Sequence, residues 1–310
     1  MKTAFIFPGQ GSQYVGMGRA LADAYPAARR ALEEADDALG RALSRLIFDG
    51  PEEELRITWN TQPAILAVSV ACLRALQEAG VPDPAAAAGH SLGEYSALVA
   101  AGALEFADAL RVVERRGRFM QEAVPLGTGT MAAVLGLDAD RVHRLCEEIS
   151  REGHVVEVAN DNCPGQLVIS GHAAAVDEAV AAAKEAGAKR AVLLPVSAPF
   201  HCSLMRPAGE RLAEVLAALP FRAPRFPVVA NVDARPYGDP GGIAERLVRQ
   251  VSRPVRWQDG VRALRGLGVE RFVEVGPGKV LTGLIRRIDR SAAAANVEDP
   301  AGVEALAGEA

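Results

Sequence analysis

One stretch of this chain limits its fold more than any other: residues 126 to 196 read βαββαβ. Apolar residues cluster as a strand at Met131–Leu135, recur at helical spacing over Ala139–Arg151 and form two short strands at Val155–Ala159 and Leu167–Ser170. Helical spacing returns over Ala173–Ala186, and a last strand follows at Arg190–Leu194. The two middle strands are joined through Asp161-Asn162-Cys163-Pro164-Gly165. That order is the split βαβ, ferredoxin-like unit, and it interrupts a different pattern on either side.

Before it, a strand at Thr3–Phe7 precedes segments with three- and four-residue apolar spacing at Met17–Leu39, Gln62–Ala79 and Phe106–Val124. Asp49-Gly50-Pro51 and Pro82-Asp83-Pro84 punctuate them. After Pro195, helices at Leu204–Ala218 and Ile243–Val251 alternate with strands at Pro227–Ala230 and Arg271–Val275, and a short helix near Val303–Ala307 ends the tail. The expectation is an α/β protein with a large α/β-hydrolase-like domain made of residues 1–125 and 197–310. The ferredoxin-like subdomain, 126–196, is inserted into it. A cleft between two such parts is a common place for a site. The alanine-rich stretches at 85–88, 181–183 and 292–295 read as compositional bias. Alanine disfavours sheets, so Ala85–Gly89 is assigned as a strand mainly because the motif after it requires one.

Apolar residues make up 49% of the 310 and charged residues 24%, a balance that supports a sizeable core and excludes general disorder. The net charge, 34 minus 39, is −5. That mild acidity argues against nucleic acid or an anionic membrane as partner, since both reward dense Lys/Arg surfaces. The apolar run before Pro8 is shorter than the hydrophobic region of a signal peptide, and no uninterrupted stretch approaches the ~20 residues of a membrane helix. A cytoplasmic protein is expected. Cys72, Cys146, Cys163 and Cys202 are widely spaced, with no C-x-x-C and no histidine cluster at zinc spacing, so neither disulfides nor a structural metal is expected.

The candidate chemistry centres on Gly89-His90-Ser91-Leu92-Gly93, which fits G-x-S-x-G. In that pattern the glycines permit a sharp strand-to-helix turn that projects the serine, and the next residue's N–H, here that of Leu92, can face an oxyanion. Leu92, Tyr95, Ser96 and Val99 share one helical face, so a helix fits after the turn. A serine hydroxyl still needs a base within hydrogen-bonding reach; without one, Ser91 is a turn or cap residue. Of five histidines, His143, His154 and His172 lie at polar helix edges and read as surface, and His90 reads as a packing or turn residue. His201 is the best candidate, held in Pro195-Val196-Ser197-Ala198-Pro199-Phe200-His201-Cys202 where two prolines stiffen the backbone.

On the helix at Leu110–Val124, Leu110, Val113, Gly117, Met120 and Val124 mark a buried stripe. At about 100° per residue Arg116 lies roughly 60° from its centre, whereas Arg111, Arg115 and Arg118 fall at about 140° or more. Arg116 therefore leans inward. Its partner is either an internal carboxylate or a substrate carboxylate, which a guanidinium binds as a fork. The loop Phe7-Pro8-Gly9-Gln10-Gly11-Ser12-Gln13 does not fit a dinucleotide fingerprint, because Tyr14 stands where the third glycine belongs. Its exposed N–H groups suit an oxyanion hole instead.

These residues resemble the bacterial malonyl-CoA:acyl carrier protein transacylases, relatives of polyketide acyltransferase domains. The likeness runs through FPGQGSQ at 7–13, TQPAI at 61–65, GHSLGEYSALVAAG at 89–102, RGRFMQEAV at 116–124, AND at 159–161, PFHC at 199–202, NVDA at 231–234 and VEVGPGKVLTGL at 273–284. It implies a ping-pong acyl transfer with Ser91 as nucleophile, His201 as base and backbone N–H groups of Gln10 and Leu92 as the oxyanion hole. The histidine is oriented in such enzymes by a backbone carbonyl or an amide side chain, which points to Gln250, with Asn231 as a helper. Arg116 is implied to bind the malonyl carboxylate, with Phe200, Met120, Asn160 and Asn231 also on the substrate side. Phe200 resembles the residue that accompanies malonyl rather than methylmalonyl choice in polyketide relatives. Cys163 and Cys202 are expected only to pack. The resemblance implies malonyl-CoA and acyl carrier protein as partners, no metal, no cofactor, and a monomer. A serine thioesterase or esterase, or a non-catalytic carrier-binding module, remains the alternative.

Overall fold

The computed structural model describes residues 1–196 and 198–309. Ser197 and Ala310, where the expected second segment of the large domain begins and ends, lie outside the described residues. Among the described residues nine strands form two sheets. The first sheet has the order β7-β2-β1-β8-β9, from Val228–Val229 (β7), Ala86–Gly89 (β2), Thr3–Phe7 (β1), Arg271–Val275 (β8) and Ala293–Val297 (β9). All its pairings are parallel. Gly129–Leu135 (β3), Val156–Cys163 (β4), Gln166–His172 (β5) and Arg190–Leu193 (β6) form an antiparallel sheet in the order β4-β5-β3-β6.

A parallel sheet is buried on both faces, and the strands show it. In β1, Phe5 and Phe7 belong to one apolar cluster while Ala4 and Ile6 belong to another. β2 divides its alanines in the same way, Ala87 to the first and Ala86 and Ala88 to the second. Low strand propensity is overridden there because the strand lies between two filled layers, where small side chains fit. The first cluster also takes in the helix Thr58–Glu78, which is buried along most of its length. A third cluster draws only on residues between Ala132 and Ala191, so the antiparallel sheet and its helices Ala139–Ile149 and Ala173–Glu185 have a core of their own.

Three expectations need correction. The middle strands of the 126–196 stretch run on through Asp161–Cys163, leaving only Pro164-Gly165 as their connection. Register shifts at Val158/Asn160 and Asp161/Cys163 let the longer strand stay paired. The expected helix Met17–Leu39 is two helices, Arg19–Ala24 and Pro26–Leu39, because proline at the first position of the second disfavours a helical conformation at Tyr25. The alanines near 292–295 are more than compositional bias, since Ala293–Val297 is a strand in register with Arg271–Val275. Among the described residues no helix is long and apolar enough to cross a membrane, and all four cysteines are free and buried.

Candidate active site

The turn at Ser91 follows from its glycines. A Cβ on Gly89 would stand 1.8 Å from the Gly93 carbonyl carbon, and one on Gly93 would stand 2.1 Å from the Phe7 carbonyl oxygen. Only hydrogen at both positions lets β2 turn directly into the helix Gly93–Ala100 against β1. Ser91 takes a left-handed φ of 51°, which costs a non-glycine residue about 1–2 kcal/mol. Asn231 holds it there. Its Oδ1 accepts from the Ser91 N–H at 2.7 Å and its Nδ2 donates to the Gly89 carbonyl at 2.7 Å.

His201, also left-handed at φ 60°, brings Nε2 to 2.6 Å from Ser91 Oγ. Its Nδ1 lies 2.8 Å from the Gln250 carbonyl oxygen. A carbonyl only accepts, so Nδ1 carries the hydrogen and Nε2 is left with a lone pair facing the serine. Gln250 lies in the last turn of the helix Ile243–Val251, where carbonyls lack intrahelical partners and the helix dipole is negative. An imidazolium formed during proton transfer therefore meets a favourable field without an aspartate. Burial, then the charge of Arg116, pushes His201 down to about 3, so the ring is a neutral acceptor at physiological pH.

Arg116 is buried, with 1% of its surface exposed. It donates through NH1 to Gln62 Oε1 at 2.7 Å, and through NH2 to Gln250 Oε1 at 2.9 Å and Ser91 Oγ at 3.1 Å. Its Nε–H has no hydrogen-bond partner among the described residues. All these acceptors are neutral, and Arg116 makes no ion pair with a carboxylate among the described residues. Desolvation lowers its pKa, opposed by Tyr95 and Glu94, yet an arginine stays charged in a protein. A buried guanidinium with spare donors and no facing carboxylate is chemically suited to receive an anion.

A cavity of about 130 Å³ opens onto Ser91, His201 and Arg116, and Gln10, Leu92, Met120, Asn160 and Phe200 also line it. A Cβ on Gly9 would stand 2.5 Å from the His90 carbonyl, so the loop after β1 lies directly on the serine turn and brings Gln10 to the cavity. The Gln10 and Leu92 N–H groups have no protein acceptor among the described residues. Asn160 sits at the register shift in β4, where an irregular strand can aim a side chain. Larger cavities of about 550 and 410 Å³ lie elsewhere, and among the described residues neither is lined by a hydroxyl–imidazole hydrogen bond.

Asn231 is the exception among the expected substrate contacts. Its amide is spent on the Ser91 N–H and the Gly89 carbonyl, its backbone N–H donates to Glu94 Oε2 at 3.0 Å, and it is absent from the cavity wall. It makes no hydrogen bond with His201 among the described residues and braces Ser91 instead. Gln250 acts on His201 through its backbone carbonyl while its side chain supports Arg116. Gln62 and Glu94 carry no role in the sequence reading. The signal for both is a polar residue inside an otherwise apolar helical run, Gln62 in TQPAILAV and Glu94 in LGEYSALVA. The other histidines divide: His143 is exposed, whereas His154 meets Glu178 at 2.9 Å and His172 accepts from the Val155 N–H at 2.9 Å. His90 lines the cavity, tilted against Trp257 with its Nε2 2.8 Å from Asn162 Oδ1. Burial raises the Cys163 and Cys202 thiols, the latter to about 11, which suppresses thiolate.

Comparison with known proteins adds an independent line. The acyl transferase domain family matches residues 4–308. The malonyl CoA-acyl carrier protein transacylase of Salmonella typhimurium is 54% identical over 302 residues, 97% of each chain. The crystal structure of an acyl-carrier-protein S-malonyltransferase from Burkholderia pseudomallei superposes with a TM-score of 0.96 at 53% identity, covering 99% of both chains. A malonyl-transacylase solved in complex with its type II polyketide acyl carrier protein superposes over 100% of both chains at 49% identity, with a TM-score of 0.97.

Proposed function

The chain belongs to the acyl transferase family, and we propose that Ser91, His201 and Arg116 move a malonyl group from malonyl-CoA to the pantetheine thiol of an acyl carrier protein, in fatty acid biosynthesis. The observation that carries the choice of cargo is Arg116, whose buried charge faces only neutral oxygens until an acyl carboxylate arrives.

The cycle has two halves. His201 Nε2 takes the Ser91 proton as Oγ attacks the thioester carbonyl, and the N–H groups of Gln10 and Leu92 receive the oxyanion. The tetrahedral intermediate collapses to a malonyl–Ser91 ester, and the coenzyme A sulfur leaves with the proton held by His201. In the second half the carrier thiol gives its proton to His201 and attacks the ester, and the proton returns to Ser91 Oγ. Losing one oxyanion donor typically costs about 2.7–4 kcal/mol of transition-state stabilisation. Burial is the main cause of the depressed His201 and the Arg116 charge the second; pairing Arg116 with the malonyl carboxylate offsets the second, so the substrate raises the basicity of its own base.

Met120, Asn160 and Phe200 shape the acyl site, and its small volume disfavours a branch on the malonyl carbon. Nucleophile, base and charge all come from side chains, so the cycle calls for no metal or cofactor. We read the protein as a cytoplasmic monomer. Its domains are residues 1–125 with 197–310, α/β-hydrolase-like in presenting a serine at a strand-to-helix turn, and the ferredoxin-like insertion 126–196. The sheet order β4-β5-β3-β6 and the separate core support the insertion.

The decisive experiment mixes the protein with malonyl-CoA, digests it and weighs the Ser91 peptide. A malonyl adduct that clears when carrier protein is added is expected. No adduct, or one that only water discharges, overturns the transferase reading.

A further inference from the structure

Behind the reacting groups lies a carboxylate that the acyl-transfer steps do not use. Glu94 stands in the first turn of the helix Gly93–Ala100 and is fully buried. Its Oε1 accepts from the Tyr237 hydroxyl, and its Oε2 from Gln250 Nε2 at 2.8 Å and the Asn231 N–H at 3.0 Å. A helix N-terminus favours an acidic residue, but an exposed one would serve. Burying a carboxylate with no direct cation is costly unless its hydrogen bonds do something else.

Those bonds orient an amide. Gln250 Nε2 donates to Glu94 Oε2 and, at 2.9 Å, to the Ser91 carbonyl, while Oε1 accepts from Arg116 NH2 at 2.9 Å. An amide is not symmetric, so with its nitrogen committed to two acceptors its oxygen must face the guanidinium. Turned over, it would set NH₂ against Arg116 and an oxygen against the carboxylate. The ionised Glu94 forbids that, and its charge also attracts Arg116 across the amide.

We propose that Glu94 is a positioning residue that acts through Gln250 to hold Arg116 ready for the acyl carboxylate, so that its ionisation sets the preference for a carboxylated over a neutral acyl group. The proposal rests on the acyl-transfer reading above. Tyr237, with Arg246 stacked behind its ring, and Arg116 and Tyr95 are the charged or titratable groups that face this carboxylate. Burial raises Glu94 to about 7, against the donors from Tyr237, Gln250 and Asn231 and the charge of Arg116. Protonated, it offers Gln250 a donor in place of an acceptor, and the amide is free to turn.

The test measures kcat/KM for Ser91 acylation by malonyl-CoA and by acetyl-CoA from pH 6 to 9 on the full chain, with Glu94→Gln, Glu94→Asp and Tyr237→Phe. In the unmodified protein the malonyl-to-acetyl ratio should fall about tenfold, a typical coupling between two sites, as pH drops through 7. Glu94→Gln, which keeps reach and loses charge, should hold the low ratio at every pH. Glu94→Asp, which keeps charge and loses reach, should also lower it. Tyr237→Phe removes a donor to the carboxylate and should move the midpoint about one unit more alkaline. Equal losses for both acyl groups in Glu94→Gln, or an unchanged ratio, overturn the proposal. If Glu94→Gln does not fold, an unshifted midpoint in Tyr237→Phe overturns it. No malonyl adduct in the unmodified protein would instead defeat the acyl-transfer reading.

Discussion

Replacing Arg116 by alanine tests the cargo assignment directly. The side chain is 1% exposed and its hydrogen bonds run to neutral oxygens of Gln62, Gln250 and Ser91. On the proposed reading the guanidinium is the buried counter-charge of the carboxylate in the malonyl complex. Removing one partner of a buried ion pair costs about 3–5 kcal/mol, which is roughly a 150- to 5,000-fold loss in kcat/KM for malonyl-CoA at about 1.4 kcal/mol per decade. Acetyl-CoA brings no charge. Its loss should stay near the lower end of what one charge-assisted hydrogen bond to Ser91 Oγ is worth, about 1.5 kcal/mol or roughly tenfold, because release of His201 from the nearby positive charge offsets part of it. Single-turnover acylation with both thioesters gives the ratio, and a melting curve checks the fold. Arg116→Lys keeps the charge without the fork and should fall between. Equal losses for malonyl and acetyl would refute the carboxylate receptor.

Asn231→Ala should strand the Ser91 N–H and release its left-handed backbone, lowering kcat for both thioesters by about 1–3 kcal/mol, or roughly 5- to 150-fold, with little change in KM; a KM effect alone would return Asn231 to the substrate side. Gly93→Ala puts a methyl 2.1 Å from the Phe7 carbonyl and should give misfolded or inactive protein, so a normal acylation rate would contradict the turn geometry. Stability against pH should separate Glu94 from His201. Glu94 is raised from 4.5 to about 7, so its contribution is present at low pH and is lost as pH rises through 7. His201 is lowered from 6.5 to about 3, so its contribution is present above 6.5 and is lost as pH falls. Between pH 6.5 and 4.5 the two oppose each other. In thermal melts Glu94→Gln should therefore lose stability on acidification more steeply than the unmodified protein, and His201→Gln less steeply. Parallel curves would count against both assignments.

How legible the fold was depended on where the decisive contacts lie. Thr3–Phe7, Ile243–Val251 and Arg271–Val275 carry their own periodicity and fall where the sequence puts them. The break at Tyr25 is not in the expected helix Met17–Leu39, although its signal is local, since a proline follows it. Ala293–Val297 carries no such signal. Alanine and asparagine are poor strand formers, and the segment is a strand only because Arg271–Val275 offers it a free edge. The helices Leu43–Asp49, Trp257–Gly266 and Val280–Ile288 are short and add to the expected set for the same reason. Packing against neighbours decides elements of that length more than propensity does.

The site divides along a similar line. Helical phase alone was enough to turn Arg116 inward, because the angle of a side chain about its helix depends only on its neighbours in sequence. What Arg116 meets there could not be read, because the chain holds 39 acidic residues and phase ranks none of them as partner. The structure answers by exclusion. Among the described residues its hydrogen-bond partners are the oxygens of Gln62, from a helix some fifty residues before it, of Gln250 in the helix Ile243–Val251, and of the serine itself. Glu94, the carboxylate whose charge acts on Arg116, is held one amide away. A direct contact would have neutralised Arg116 and closed the receptor. Removing Glu94 altogether would leave the buried guanidinium without nearby opposite charge. The intervening Gln250 reconciles the two demands, and that separation by one neutral group is a property of three distant segments together that no single one of them encodes.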